Sequence, residues 1–265
     1  MNYSDEFKCL VSKSNPDNHN EYIGKGNPNA KILIIGKELA LDPKKDNHVI
    51  EKTSKQNVSD WKDNIKNIDK KIENCEDNNI ETIHLFNPLF PYKGMKKLQQ
   101  SVGHTWRGYQ LLHDKILCQQ SEKHNEYKFY DNIFITELNS NPTKYSKDQD
   151  KIERRKSITE RISNPGLFNS NFIKAFPIVV VACGDYPKQN NVNLCELFNV
   201  DFITPIKKVE GLKITQWYNL HKNKIGEKPK LLIHTRQLSN GVLNELLEQI
   251  ANEIKSFAEE NKIEL

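Results

Sequence analysis

The chain reads as an α/β protein built on a parallel sheet covered by helices on both faces. Two observations predict this. Short, continuously apolar runs recur at intervals, as expected of strands buried on both faces. Between them lie amphipathic helical stretches, and strands alternating with helices are the pattern of a parallel sheet.

The central run is Ile32 to Ile35. It follows the turn-forming Asn27-Pro28-Asn29 and stops at Gly36, before Lys37, Glu38, Leu39 and Ala40. Residues 1–26 ahead of it are polar and Asn-rich, and are expected to lie loosely over the domain as an N-terminal extension. Leu41 to Ser59 shows little periodicity and is expected to be loop. Ser59 is the expected N-cap of a helix running to Cys75, with Trp61, Ile65, Ile68 and Ile72 as its apolar stripe. Thr82 to Tyr92 begins as an apolar strand-like piece and becomes a Pro-broken loop. Ser101 to Gly108 then leads to a helix from Tyr109 to Cys118, with Leu111, Leu112 and Ile116 facing inward.

Asn132 to Leu138 is the second clear strand. Helices are expected over Lys147 to Ile162 and around Phe168 to Phe176. Pro177 to Cys183 is the third strand and ends at Gly184-Asp185. A short helix over Val192 to Phe198 and the apolar piece Phe202 to Ile206 follow. Lys230 to Ile233 is the last strand, running into His234. Asn240 is the expected cap of a terminal helix carrying Val242, Leu243, Leu246, Leu247, Ile250 and Ile254 at helical spacing. No repeat or linker divides the 265 residues, so one domain over 1–265 is expected.

Composition narrows the function classes. The net charge of +4 arises from intermixed Lys and Asp/Glu, which permits a nucleic-acid partner without demanding one. No apolar run approaches the roughly 20 residues of a membrane span, and the N-terminus lacks the apolar centre of a signal peptide. A cytoplasmic protein is expected. The five cysteines are scattered without a Cys-x-x-Cys pair, so neither structural disulfides nor a closed zinc site is expected, and no cofactor. The glycines form no dinucleotide fingerprint, Walker loop or nucleophile elbow, and the histidines have no metal-ligand spacing.

In open α/β sheets ligands gather beyond the carboxyl ends of the strands. There the chain carries Gly36-Lys37-Glu38, Glu137-Leu138-Asn139, Gly184-Asp185 and His234-Thr235-Arg236. Polar residues follow most strands, so each is weak evidence alone. Together they put a carboxylate, an amide, a glycine and a histidine around one crevice.

These segments, in this order, resemble the uracil-DNA glycosylase superfamily. The segment at Gly36 is similar to its first motif, Gly-x-Asp-Pro or Gly-Glu-Ala-Pro, and His234-Thr-Arg-Gln-Leu-Ser239 is similar to its His-Pro-Ser-Pro-Leu-Ser loop. The resemblance covers most of the chain from about Gly26 onward. It implies a three-layer α/β/α fold with a central, mostly parallel four-stranded sheet. It also implies a monomer that removes a base from single- or double-stranded DNA. Some branches carry an iron–sulfur cluster on four cysteines, but the spacing here does not match theirs.

By this resemblance Glu38 falls where a water-positioning carboxylate would stabilise the oxocarbenium-like transition state. A surface Glu capping the next turn is the competing reading, and Leu39 stands where the motif has proline. His234 would donate to the departing base, and Leu238 would enter the duplex as a wedge. Arg236, Gln237 and Ser239 would contact DNA, Arg236 by gripping a phosphate. Gly36, Lys37 and Gly184 would line the substrate site.

At the second strand end the family's base-reading Asn aligns with Glu137, while Asn139 lies two residues on. A carboxylate only accepts, whereas uracil O4 needs a donor and N3–H an acceptor. Glu137 therefore suits an exocyclic amine and argues against plain uracil, unless the register places Asn139 in the site instead. Trp106 is the first candidate for the stacking surface of a flipped base, with Phe90 and Tyr92 as alternatives and a core role as the competing reading. Two rival functions remain open at this point: a catalytically silent nucleic-acid binder of the same fold, and a hydrolase of free nucleosides or nucleotides.

Overall fold

The computed structural model of the chain describes residues 2–18, 21–67, 87–91, 104–117, 127–203, 207–209, 216–223, 227–239 and 241–265. It is organised by one mixed sheet. The strands are β1 (Lys25–Gly26), β2 (Ile32–Gly36), β3 (Ile133–Glu137), β4 (Ile178–Val181), β5 (Asp201–Phe202), β6 (Lys207–Val209), β7 (Gln216–Lys222) and β8 (Leu231–Thr235). Their order is β1-β3-β2-β4-β8-β7-β5, with β6 also paired to β7.

The pairs β3–β2, β2–β4 and β4–β8 are parallel, and these are the four strands legible as apolar runs. The rest of the sheet is antiparallel: β1 on β3, and β7 against β8, β5 and β6. The sheet is thus wider and more mixed than the four-stranded one expected. The antiparallel half escaped sequence reading because β7 is only half covered. Its residues alternate between buried and half-buried, so Gln-Trp-Tyr-Asn-Leu-His-Lys has no continuous apolar run. Of Phe202 to Ile206, only Phe202 is in a strand, at the sheet edge, and 204–206 lie outside the described residues.

Alternate residues of the parallel strands feed two cores. Leu33, Ile35, Phe134, Val179, Val181 and Leu232 enter one. Ile32, Ile34, Ile133, Ile135, Ile178, Val180, Leu231 and Ile233 enter the other. The first core is covered by α1 (Asp5–Lys13), α3 (Asn57–Lys66), α5 (Lys151–Ile162) and α6 (Asn171–Ala175). The second is covered by α4 (His104–Ile116) and the terminal α9 (Asn244–Glu260), which pack on each other. Between them in the chain lie the short α2 (Asn47–Ile50), α7 (Tyr186–Gln189) and α8 (Leu194–Phe198). Among the described residues no helix is long and apolar enough to cross a membrane.

Several boundaries differ from expectation for physical reasons. The N-terminal extension is not loose. Ser4 caps α1, and Phe7 and Val11 are almost fully buried, Phe7 lying edge-on to Trp61 at 4.9 Å. Leu41 to Ser59 is not all loop, because α2 runs into a π-helical turn over Glu51–Lys55 that leads into α3 at Asn57. Ser59 therefore sits inside the helix rather than capping it, and 68–75 lie outside the described residues. Helix α4 begins at His104, so Trp106 is helical. The terminal helix starts at Asn244, with Leu243 at its cap; residue 240 lies outside the described residues. Of Thr82 to Tyr92, only 87–91 are described, as a turn.

Candidate active site at the carboxyl edge of the sheet

The ends of β2 and β3 are joined beyond the strands themselves. Gly36 lies in register with Glu137, and the ladder continues through Leu138 N–H to Gly36 O at 2.8 Å and Asn139 N–H to Lys37 O at 2.8 Å. Thr143 N–H then donates to Leu39 O at 3.0 Å. Two strand-end loops are thereby tied into one rigid rim, and Glu38 sits on it.

Gly36 is needed for space rather than for an unusual backbone angle. A Cβ there would lie 2.1 Å from Glu137 Oε2. The Glu137 carboxyl therefore lies directly over the strand end, 7% exposed. Burial, and then the nearby Glu38 carboxylate, raise its pKa from 4.5 to about 8, against the opposing pull of Lys25 and Arg161. Lys25 is itself buried, and desolvation lowers its pKa to about 8. Arg161 is buried beside it and donates to Glu137 O at 2.9 Å, Tyr22 O at 2.6 Å and Thr136 Oγ1 at 3.1 Å.

A protonated Glu137 carries one donor and one acceptor, like an amide. The argument against a uracil-type edge holds for the ionised carboxylate, which can only accept.

Glu38 is half-buried. Its Oε1 accepts from Ser146 Oγ, its Oε2 is buried, and the Tyr186 hydroxyl hydrogen-bonds to the same carboxylate. Tyr186 lies beside it, its hydroxyl pKa raised above the ordinary value by burial and then by the Glu38 charge. The Tyr186 ring is flanked by Lys37 Nζ at 5.8 Å and the Arg154 guanidinium at 5.6 Å. Arg154 Nη1 donates to Ser146 O at 2.9 Å, which holds the serine against the carboxylate.

Asn139 is fully buried. Its amide donates to Gln149 Oε1 at 2.7 Å and Tyr186 Oη at 3.2 Å, and its Oδ1 accepts from Asn141 N–H at 3.0 Å. Both amide hydrogens are used, so Asn139 braces the rim and is not available to read a base. Of the two register choices, Glu137 is the one whose side chain is not tied up in such bracing among the described residues.

His234 is at the same sheet edge but not beside Glu38. It lies within β8, level with Val181 of β4, which is level with Ile35 of β2. One strand thus separates them, which spaces β8 from β2 by roughly 10 Å. His234 Nε2 is 2.8 Å from Gly184 O, and a carbonyl can only accept, so Nε2 carries the proton. Nδ1 is then an acceptor in the neutral ring. Burial lowers the His234 pKa, opposed by the Gly184 carbonyl and Asp185, and disfavours the imidazolium that would turn Nδ1 into a donor. The ring also packs edge-on against Trp217 at 5.1 Å. The predicted donor role is therefore not available in this arrangement. Gly184 adopts φ +56° and gives its carbonyl to His234, so it too acts as a brace.

The remaining predictions divide. Leu238 is fully buried, and a Cβ on Gly108 of α4 would come within 2.2 Å of its carbonyl oxygen; it is a core residue and not an exposed wedge. Arg236 Nη1 donates to Gly241 O at 3.2 Å, and Gln237 and Ser239 are half-buried. Trp106 stacks one face on Phe129 at 5.5 Å and meets Tyr109 edge-on, with Lys25 Nζ 5.9 Å from its centroid. Trp106 is thus half-buried against the second core, with one face covered by Phe129. Phe90 is half-buried against Tyr130, and Tyr92 lies outside the described residues.

The residues that sequence reading missed are Lys25, Ser146, Arg154 and Tyr186. Tyr186 follows the flagged Gly184-Asp185, whereas the others lie in polar stretches without a local signal. Compared with protein-family models, curated proteins and solved structures, the chain matches none.

Proposed function

We propose that the protein is a divergent DNA N-glycosylase with a uracil-DNA glycosylase-like fold, acting on a base turned out of the strand. Four adjacent parallel strands between two helical layers support the fold. The observation that carries the function is Glu38. Its carboxylate, with Oε2 buried, lies at the carboxyl edge of the sheet, where ligands of such sheets collect, and is held in place by Ser146 and Tyr186.

The reaction breaks the bond from deoxyribose C1′ to the base nitrogen, and the bonding pair leaves with the base. The oxygen of water then bonds to C1′, and the proton it gives up passes through solvent to the base nitrogen that took the bonding pair, leaving an abasic site and a neutral free base. The Glu38 carboxylate, oriented by Ser146 and Tyr186, positions that water and stabilises positive charge on the sugar. Glu137, neutral near pH 7, offers an O–H and a C=O to the base edge, so paired carbonyl and N–H groups fit it as well as an exocyclic amine.

The test uses oligonucleotides that each carry a different modified base, followed by alkaline cleavage of abasic sites. Release from at least one of them is expected, with Glu38→Gln slowing it by ~10²–10⁴-fold. No cleavage of any substrate, or an unaffected Glu38→Gln variant, overturns the reading. Release only from free nucleosides moves the activity to a small-molecule hydrolase.

A further inference from the structure

Tyr145 is an aromatic side chain left 52% exposed. Two ammonium groups lie against its ring, Lys144 Nζ at 5.2 Å and Lys147 Nζ at 5.7 Å. The backbone that presents it is tied down on every side. Thr143 N–H donates to Leu39 O at 3.0 Å, Thr143 Oγ1 donates to Tyr145 O at 3.2 Å, and Asp148 N–H donates to the same carbonyl at 2.9 Å. The next residue, Ser146, is the one that donates to Glu38. An exposed ring is therefore presented one residue from Ser146, the serine that donates to the candidate catalytic carboxylate, with two cations beside it.

The surroundings continue the theme. From Lys144 to Lys156 the chain carries six Lys or Arg against three Asp or Glu, a local excess of +3 within a whole-chain charge of +4. Lys151, Arg155 and Lys156 are exposed on α5, and Ile152 is 78% exposed among them. A cleft of about 910 Å³ beside the loop is of mixed charge, Lys44, Lys144 and Lys156 facing a larger number of carboxylates such as Asp148, Asp150 and Glu153.

We propose that Tyr145, with Lys144 and Lys147, is a stacking platform for an unpaired base of a single-stranded nucleic acid. The base lies on the ring, and the two ammoniums turn to the flanking phosphates. Aromatic faces beside cations are how strands are held without sequence preference, because every base has a π-face. A duplex hides those faces, so the platform favours single strands. The preformed loop keeps the ordering cost of binding low. This deepens the glycosylase reading by naming the strand that approaches Glu38, and it rests on that reading only for what happens after binding.

The experiment measures affinity of the full chain for labelled, unmodified oligothymidylate by fluorescence anisotropy over a salt series. Tyr145→Ala is expected to weaken binding about 5- to 150-fold, the stacking contribution of one base. Tyr145→Phe keeps affinity within about twofold. Lys144→Gln with Lys147→Gln reduces the log–log salt slope by about 1.4. A duplex of the same sequence responds little to Tyr145→Ala. Wild-type affinity in a folded Tyr145→Ala variant, absence of single-strand binding at low salt, or full competition by polyglutamate overturns the proposal. Strand binding through Tyr145 without base release removes the glycosylase reading alone. Base release by a Tyr145→Ala variant of undiminished affinity removes this inference alone.

Discussion

Replacing Glu137 with Gln should change how stability depends on pH more than stability at any one value. The folded protein holds Glu137 at about 8 against an ordinary 4.5, chiefly through burial and then through Glu38. A folded pKa raised above the unfolded one means that the native state binds the extra proton. The stabilisation is complete below about pH 4.5 and is lost as pH rises through about 8. At about 1.4 kcal/mol per tenfold change, the full rise corresponds to a ceiling of ~5 kcal/mol. Relaxation and water penetration around a buried charge bring the observable loss to roughly 2–4 kcal/mol. Lys25, lowered to about 8 from 10.5, acts in the opposite sense above pH 8, where stability recovers. Gln keeps the donor and acceptor of the neutral acid and cannot ionise. Urea unfolding of both proteins between pH 5 and 8 isolates the effect, since contributions shared by both, such as Asp60 raised to about 6, cancel. The Gln variant should gain on the wild type as pH rises. Parallel profiles would show that Glu137 does not ionise over this range and refute the argument.

Gly108→Ala should destabilise, because its new Cβ would meet the Leu238 carbonyl oxygen at 2.2 Å. Overpacking costs ~1–3 kcal/mol, more than the ~1 kcal/mol that alanine adds within a helix; a variant more stable than wild type in urea would contradict this. Leu238→Ala should lower stability by ~2–5 kcal/mol, as for other buried leucines, and leave DNA affinity of the folded protein intact. A selective loss of DNA affinity at unchanged stability would restore the wedge role. Arg161→Met strips donors from Glu137 O, Tyr22 O and Thr136 Oγ1, all inside the core. A loss of ~3–5 kcal/mol is expected in the denaturant midpoint, and a neutral outcome would show that water reaches these acceptors.

The two halves of the sheet differ in how openly their sequences declare them. Ile32–Ile35, Ile133–Ile135, Ile178–Val181 and Leu231–Ile233 are buried on both faces, so every position must be apolar and the run is visible. The same holds for the terminal helix, whose Leu246, Leu247, Ile250 and Ile254 keep their spacing because one face meets the core. β7 has one better-covered face and shows no such run. At the site, the positions of Glu38, Glu137 and His234 near strand ends were legible, but their partners were not. Ser146 lies 108 residues from Glu38, and Gly184 lies 50 residues from His234.

Apolar periodicity alone therefore determined that this chain makes parallel strands sheathed by helices, because burial acts on each residue through its own side chain. Only the folded arrangement decided that Glu137 is shut over Gly36, that Leu238 lies inside, and that His234 donates a hydrogen bond to a backbone carbonyl. Those outcomes depend on which distant groups share a few ångströms, and a hydrogen bond or a desolvated charge is a property of the pair and its surroundings.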